Sequence, residues 1–392
     1  MTHHDTTADI IIVGGGIIGV AIAYYLAQRQ FGRILVLERL HIGAGSTGLS
    51  VASIEPLGRF PCLAAIHQRS IATFQNFSAE VSGECGFVPL PLAMFISEKE
   101  VPTLREIADY AGAAGSDAHL LAPDEFLARN PDTNMEGVAA VYYSEDAGHA
   151  DPILTLTSYA EAARHKGVVI QQNTPVLGVR SPNGHIVGVD TPDGLISAPI
   201  VVLAAGLWIE PLLKPLGLTA AIDLHRHFVV GIEPPLHAPR LSIIDTVLDF
   251  YSRPEKSGQV YLLGGPGEFA PCRDPDEHAP SVSMDLSFKY MERLVERFPI
   301  MEQSRLRANS GYTGIADMTP DRQPLLGPLP VEGLYLAAGM SGIGFKMAPG
   351  IGQAMAGLIA GESAAQRLLQ PLRPTRIAEG QLLASPYTTM IL

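Results

Sequence analysis

Apolar residues near the start of the chain follow the pattern of a strand, then of a helix, then of a strand again. Residues 9–13 and 33–38 form short runs rich in β-branched side chains, which is typical of strands buried in a parallel sheet. Between them, Ile18, Ile22 and Leu26 recur every four residues, as they would on one face of a helix. The pattern therefore predicts a β-α-β unit.

A glycine pattern separates the first predicted strand from the helix. Gly14, Gly16 and Gly19 fit G-x-G-x-x-G, which combines a tight turn, a close approach of backbone to a pyrophosphate and a close contact between helix and strand. The amides of Ile17 and Ile18 open the helix and would face the phosphates. Because the flanking elements agree with this motif, the sequence predicts a dinucleotide site.

The second predicted strand ends in a carboxylate. Glu38 lies about twenty residues beyond the glycines, where it can accept hydrogen bonds from a ribose 2′-hydroxyl. It would repel a 2′-phosphate, so NADP is disfavoured, while FAD and NAD remain open. The loop that begins at Arg39 then offers small and hydroxyl-bearing residues to a flat ligand: Gly45, Ser46, Thr47 and Ser50.

Two later segments point at the same site. Residues 200–206 form an apolar strand whose end, at Ala205 and Gly206, should lie beside the nucleotide. Trp208 follows, either as a core residue or against the cofactor. Residues 334–338 predict another strand, and a helix to about residue 369 follows the loop Gly342, Ile343, Gly344, Phe345 and Lys346. This helix start would stabilise the negative charge of a reduced flavin, which favours FAD over NAD.

The remaining segments complete the prediction. Helices are expected at 63–81, at 102–129 with breaks at Gly112 and Gly115, at 152–165 and at 283–298, and Asp151 should cap the helix over 152–165. Strands are expected at 86–97, 168–171, 176–179 and across 222–269. The predicted fold is α/β, a Rossmann-like FAD-binding domain of the glutathione-reductase type with a second, antiparallel β-rich substrate domain. The FAD-binding domain comprises residues 1–80, 150–220 and 310–370, the substrate domain 81–149 and 221–309, and a tail 371–392.

Composition narrows the class of protein. A length of 392 residues suits about two domains, and the net charge of −13 argues against a nucleic-acid partner. The three cysteines, Cys62, Cys85 and Cys272, are too scattered for a disulfide framework or a thiolate metal site. No apolar run is long enough to span a membrane, and no basic leader precedes the first strand. We therefore expect a soluble, cytoplasmic protein without a metal.

Together these motifs resemble the D-amino-acid-oxidase-like group of FAD enzymes, which includes glycine oxidase, sarcosine oxidase and related amine dehydrogenases. Besides the motifs above, the resemblance rests on Asp151-Pro152 and Thr319-Pro320-Asp321. It implies an extended FAD, with the adenine near Val176 and the isoalloxazine near Ser46 and Gly344. It also implies oxidation of a carbon–nitrogen bond, in which a hydride equivalent moves to flavin N5 and the imine is hydrolysed.

Departures from the family pattern refine this expectation. Gly314 occupies the position of a cysteine that bonds the flavin in sarcosine-oxidase-like members, and Leu49 that of a histidine in members with a histidyl link. The comparison therefore predicts non-covalent FAD. Ala316 stands where glycine-oxidase-like members carry a carboxylate-binding arginine, which disfavours a simple glycine-like substrate.

Two residues are predicted to act on the substrate. Lys346 matches a lysine that helps to hold the substrate carboxylate, although it could instead lie along the flavin or in solvent; Tyr251 resembles an active-site tyrosine, with a core tyrosine as the alternative. A lysine that promotes reaction with oxygen is replaced by Leu262 or Leu263. This favours a dehydrogenase for an amino acid or an N-substituted amine.

Several alternatives stay open. An oxidase of the same fold would release hydrogen peroxide, and a flavin-bearing subunit of a multi-subunit dehydrogenase would need its partner. An NAD-dependent dehydrogenase would carry no flavin. The electron acceptor could be a quinone, another flavoprotein or O2, and either a partner subunit or a homo-oligomer is compatible with the sequence.

Overall fold

A computed structural model describes residues 6–265, 270–277, 281–307 and 310–383. Its helices are α1 Ile17–Gln28, α2 Pro61–Gln75, α3 Phe77–Val81, α4 Val101–Ala113, α5 Pro123–Leu127, α6 Pro152–His165, α7 Ile209–Leu213, α8 Met284–Arg297, α9 Gly344–Ile359 and α10 Ser363–Leu369. Its strands are β1 Ile10–Val13, β2 Ile34–Leu37, β3 Ser53–Ile54, β4 Val88–Pro89, β5 Leu92–Ile96, β6 His119–Leu121, β7 Ala140–Ser144, β8 Gly148–His149, β9 Val169–Gln171, β10 Gly178–Arg180, β11 Gly188–Thr191, β12 Gly194–Ser197, β13 Ile200–Leu203, β14 Asp223–Glu233, β15 Ser242–Asp245, β16 Phe250–Pro254, β17 Tyr261–Gly264, β18 Ala270–Cys272, β19 Arg305–Leu306, β20 Tyr312–Met318, β21 Leu325–Pro328 and β22 Leu334–Ala338.

The first sheet is built around β1. Its strand order is β21-β22-β13-β1-β2-β9, and every pair is parallel except β21 with β22. All four residues of β1 are buried because helices cover one face and the small sheet β10-β11-β12 lies on the other side. The predicted β-α-β unit is therefore confirmed. Since β1, β2 and β13 are parallel and in register, their carboxyl ends meet at one edge.

The second large sheet runs β18-β14-β17-β16-β15-β5-β7-β6, and β19 and β20 also pair with β14. Its pairs are antiparallel except for β5 with β15. Helix α8 packs on one face through Tyr290 and Leu294, both almost fully buried. The mixed α/β architecture predicted from the sequence is therefore confirmed.

The predicted bounds of individual helices agree with the structure in some places and differ in others. Helix α6 begins and ends as expected, with the Asp151 carboxylate accepting a hydrogen bond from the Leu154 amide at 2.8 Å. The helical pattern predicted over 102–129, with breaks at Gly112 and Gly115, is confirmed for α4 and for the short α5, but residues 119–121 between them form β6 along β7. The last predicted helix divides into α9 and α10 at Gly361, whose φ of 83° is left-handed.

The domain division follows these sheets only in part. Strand β20 lies in the segment assigned to the FAD-binding domain, yet it pairs with β14 of the second sheet along seven residues. Strand β20 therefore belongs to the second sheet. Residues 384–392 of the predicted tail, and residues 266–269, 278–280 and 308–309 of the predicted substrate domain, lie outside the described residues.

A buried ion pair attaches the C-terminal segment to the first sheet. Arg376 and Asp321 are almost fully buried, and the guanidinium donates to both carboxylate oxygens at 2.8 and 2.9 Å. Arg376 also donates to the carbonyl oxygens of Gln323 and Pro324. This network holds the segment before β21 in place. Among the described residues, no helix combines the length and apolarity needed to cross a membrane.

Candidate active site

A cavity of about 770 Å³ opens where the carboxyl ends of β1, β2 and β13 meet. The second sheet, through β15, β16 and β20, and the start of α9 complete its wall. This volume falls within the usual range for cofactor and small-molecule sites. We call it the main cavity.

Two glycines of the β1-α1 turn are required by close packing. Gly14 has a φ of 117°, and a Cβ there would lie 2.3 Å from the Ala204 carbonyl oxygen at the end of β13. A Cβ on Gly19 would lie 2.1 Å from the Gly14 carbonyl oxygen. Gly16 differs, because a Cβ would meet only Thr47 Oγ1, at 3.4 Å. Gly16 therefore borders open cavity, where a cofactor phosphate could approach the backbone.

Side chains arrange the backbone on both sides of this turn. Glu38 accepts hydrogen bonds from the amides of Gly15 and Leu40, each at 2.8 Å. Thr47 Oγ1 accepts from the Ile17 amide at 3.1 Å, at the start of α1. Helix α1 carries no acidic residue in its first turn, so its positive end is not neutralised from within the helix. The residues present therefore fit the pyrophosphate and ribose of a dinucleotide.

Arg39, Trp208 and Asp276 form a cluster on the cavity wall. The guanidinium carbon of Arg39 lies 4.1 Å from the Trp208 ring centroid, and Arg39 forms an ion pair with Asp276. The Trp208 indole N–H donates to Asp276 at 3.2 Å. Trp208 is only half-buried and lines the cavity. Its interpretation as a core residue is therefore wrong.

Lys346 and Glu55 form a buried ion pair on the wall of the main cavity. Their side chains are 8% and 3% exposed, and Lys346 Nζ contacts Glu55 Oε2. His67 Nδ1 lies 2.9 Å from the Glu55 carbonyl oxygen, which fixes Nδ1 as the donor. Burial, with the nearby Lys346 charge, lowers the pKa of His67 to about 4, so the imidazole is neutral. Of the alternatives named for Lys346, exposure to solvent is therefore excluded, while its contact with a substrate carboxylate stays a prediction.

A second carboxyl group organises the loop before α9. Asp317 accepts a hydrogen bond from the Gly339 amide at 2.7 Å, and its own carbonyl accepts from Ser341 at 3.0 Å. Burial raises the pKa of Asp317 to about 6. The first turn of α9 contains no acidic residue, so its N-terminus can stabilise negative charge in the cavity.

The wall contributed by the second sheet is largely apolar. Tyr251 of β16 lies opposite Ile244 of β15 and Gly264 of β17, and its ring occupies the space that a side chain at Gly264 would need. Burial raises the pKa of Tyr251 well above its usual value, so the phenol stays protonated. Tyr251 packs beside an apolar cluster and also lines the cavity. Its role as an active-site tyrosine stays a prediction.

Three positions that the family comparison singled out meet at β20. Gly314 and Ala316 line the cavity, and a Cβ on Gly314 would lie 3.6 Å from the Leu49 carbonyl oxygen. His227 of β14 pairs with Gly314 and also lines the cavity. Burial, with His225 nearby, lowers the pKa of His227 to about 4.

Most of the predicted site residues line the main cavity: Gly14, Gly16, Ile17, Ile18, Glu38, Arg39, Gly45, Ser46, Thr47, Ser50, Val176, Ala205, Gly206, Trp208, Tyr251, Gly314, Gly342, Gly344, Phe345 and Lys346. Gly19 and Ile343 do not; Gly19 serves helix packing, and Ile343 lines a smaller neighbouring cavity. Sequence reasoning missed Glu55, Asp276, Asp317, His227 and Ile244. The one sequence pattern that could have indicated some of these residues is the alternation of apolar and polar positions along the middle strands.

Comparison with known proteins now identifies the family. The sequence pattern of the family described as "FAD dependent oxidoreductase" (DAO) matches residues 9–358. The chain belongs to this family. Its cofactor is FAD, and it is an FAD-dependent oxidoreductase of the amine and amino-acid class, as the sequence resemblance implied.

Individual relatives agree with this assignment. The chain is 27% identical to sarcosine oxidase subunit beta of Rhodobacter capsulatus, over 90% of this chain and 84% of that protein. It is 25% identical to human mitochondrial sarcosine dehydrogenase, but the match spans only 39% of that longer protein. The structure resembles L-proline dehydrogenase from P. horikoshii with a TM-score of 0.86 and 25% identity, covering 97% of this chain and all of that one.

Proposed function

We propose that this chain is a dehydrogenase that binds FAD non-covalently in the main cavity and oxidises the carbon–nitrogen bond of an amino acid or secondary amine. The observation that carries the proposal is that two different surfaces line the same cavity. At one end lies the dinucleotide cradle, and at the other lies the apolar face of β15 and β16 beside the Lys346–Glu55 pair. The names of the relatives, sarcosine oxidase and L-proline dehydrogenase, support an amine substrate.

Non-covalent binding is supported by the residues at the positions of the family's flavin links. Gly314 and Leu49 both line the cavity and carry no nucleophile. Among the described residues, no cysteine lines the cavity, and Cys62, Cys85 and Cys272 lie elsewhere. Acid should therefore release the flavin intact.

The proposed division of labour follows from the chain's own groups. When bound, FAD accepts the two electrons that leave the substrate. The α1 amides would hold the pyrophosphate, Glu38 would hold the ribose, and the N-terminus of α9 would stabilise negative charge at the far end of the cavity. Ile244 and Tyr251 form an apolar wall that orients the amine and excludes water beside it. The phenol of Tyr251 can donate one hydrogen bond to the substrate.

The proposed preference for an electron acceptor other than oxygen draws on a relative of the chain. Neither Leu262 nor Leu263 lines the main cavity, and Leu263 is fully buried in the core beneath α8. The proposal of a dehydrogenase therefore rests on the likeness to L-proline dehydrogenase and not on these two leucines.

The test is an anaerobic titration of the purified protein, followed by flavin absorbance. N-methyl amino acids, cyclic imino acids and simple secondary amines are added in turn, and we expect one of these groups to bleach the flavin bands. Reoxidation by air should be slow and by a quinone fast. Rapid peroxide release would instead establish an oxidase, and a protein that takes up FAD but is bleached by no amine would refute the proposal.

A second candidate is the flavin-bearing subunit of a larger assembly. Its support is the name of the Rhodobacter relative, which is itself one subunit of an enzyme. This candidate predicts that the isolated chain binds FAD yet turns over slowly with soluble acceptors. Purification from the cells that naturally produce this chain, on a tag that it carries, would recover a stable complex with faster turnover.

A further inference from the structure

The charged groups on the wall of the main cavity are unevenly distributed. In the described part of the chain, four carboxyl groups line the cavity against two cationic side chains: Glu38, Glu55, Asp276 and Asp317, with Arg39 and Lys346. Arg39 is paired with Asp276 beside Trp208. At the other end, the described wall offers one cation, Lys346, and Glu55 already neutralises it.

Glu55 is held firmly in this arrangement. It follows β3, whose residues pair with β8, and its carbonyl oxygen accepts hydrogen bonds from His67 and from the Leu57 amide. Its carboxylate is 3% exposed. Moving it away from Lys346 would leave two unpaired charges in a site shielded from water, which is strongly unfavourable.

This pair sets the charge that a ligand must carry. A substrate carboxylate next to the reacting carbon would have to share Lys346 with Glu55 and would lie close to a like charge. An amine whose corresponding group is an amide or an alkyl chain meets no such repulsion. Arg253 lies behind this wall, where its guanidinium donates to the Val51 carbonyl and pairs with Glu255. Lys346 is the one cation among the described lining residues at this end, so the residue that controls access to it controls selectivity.

We propose that Glu55 determines the charge selectivity of the site, an inference that rests on the proposed function. By keeping Lys346 paired, it makes the wild-type protein favour secondary amines without a free carboxylate next to the reacting carbon. Replacing Glu55 with a neutral residue should free Lys346 and convert the site to one that favours amino acids.

The experiment compares two probes of similar shape, propionate and propionamide, titrated into the FAD-loaded protein and followed by the flavin absorption bands. Wild-type protein should bind propionamide at least as tightly as propionate. Glu55→Gln should bind propionate about tenfold more tightly, the equivalent of about 1.4 kcal/mol, with propionamide unchanged. The double variant Glu55→Gln, Lys346→Gln should lack this tenfold increase in propionate affinity.

The controls separate the possible failures. Glu362→Gln, at an exposed ion pair with Arg29, should leave both affinities unchanged. If Glu55→Gln does not fold, the wild-type comparison of the two probes decides by itself, since a clear preference for propionate would overturn the proposal. An unchanged affinity of Glu55→Gln for propionate would also overturn the proposal. A gain in propionate affinity that persists in the double variant, which lacks Lys346, would do the same. Because the titration needs bound FAD but no turnover, it stays readable even if no amine reduces the flavin.

Discussion

The substitution Gly16→Ala should separate an effect on cofactor binding from an effect on folding. Its backbone is extended, with φ −75° and ψ 173°, which any residue adopts. The added methyl group of Gly16→Ala would meet only Thr47 Oγ1, at 3.4 Å, and would otherwise project into the main cavity. The substitution therefore changes the cavity and leaves the packing of β1 and α1 intact.

The magnitudes follow from this geometry. Replacing a glycine by alanine at a compatible position raises the free energy of unfolding by about 0.4–1 kcal/mol, because the unfolded chain loses freedom. The methyl group should cost the cofactor one charge-assisted hydrogen bond to the backbone, worth about 1.5–3 kcal/mol. We therefore expect FAD to bind about tenfold to a hundredfold more weakly.

Gly14→Ala is the matched comparison. A positive φ costs a residue with a side chain about 1–3 kcal/mol, and the methyl group would also lie 2.3 Å from a backbone oxygen that cannot move freely. Gly14→Ala should therefore lose both stability and FAD. Gly167→Ala, with φ 90° and no heavy atom within 4 Å, controls for backbone strain alone.

The assay has two parts, thermal unfolding of the FAD-free protein and FAD titration by fluorescence quenching. Gly16→Ala should melt at or slightly above the wild-type temperature and show the weakened FAD affinity. If Gly16→Ala binds FAD as tightly as the wild type, then the cofactor does not approach this turn and the reasoning about the cradle is wrong. If its FAD-free form is clearly less stable, Gly16 has a packing role that the structure does not reveal.

Other predictions concern buried charge. Arg376→Met leaves the Asp321 carboxylate unpaired and should lower the free energy of unfolding by about 3–5 kcal/mol in urea denaturation, whereas Arg373→Met, at a partly exposed ion pair, should cost less than about 1 kcal/mol. Equal effects would contradict this account. Because burial raises the pKa of Asp317 to about 6 in the folded state, folding takes up a proton, so stability should rise as the pH falls from about 7 towards about 4. Asp317→Asn should flatten that part of the pH profile of the melting temperature, and an unchanged profile would assign the effect to another group.

Much of the cofactor half of the site could be predicted from local sequence. The turn at Gly14, the start of α1 and Glu38 lie within one β-α-β unit, so their spacing along the chain largely determines their spacing in space. The same holds for β22 and the start of α9. The position of Trp208 was harder to predict, because its hydrophobicity fits a core equally well. Only its contacts with Arg39 and Asp276 identify it as a residue of the cavity wall.

The sequence by itself determined the class of fold, the dinucleotide cradle and the family, because each depends on residues that are neighbours along the chain. Tertiary structure decided the other end of the site. Glu55 and Lys346 are 291 positions apart, and their pairing depends on how β3 and α9 pack together. No local pattern signals that a carboxylate will neutralise a particular lysine. Charge selectivity is therefore a property of long-range packing, which a single sequence does not display.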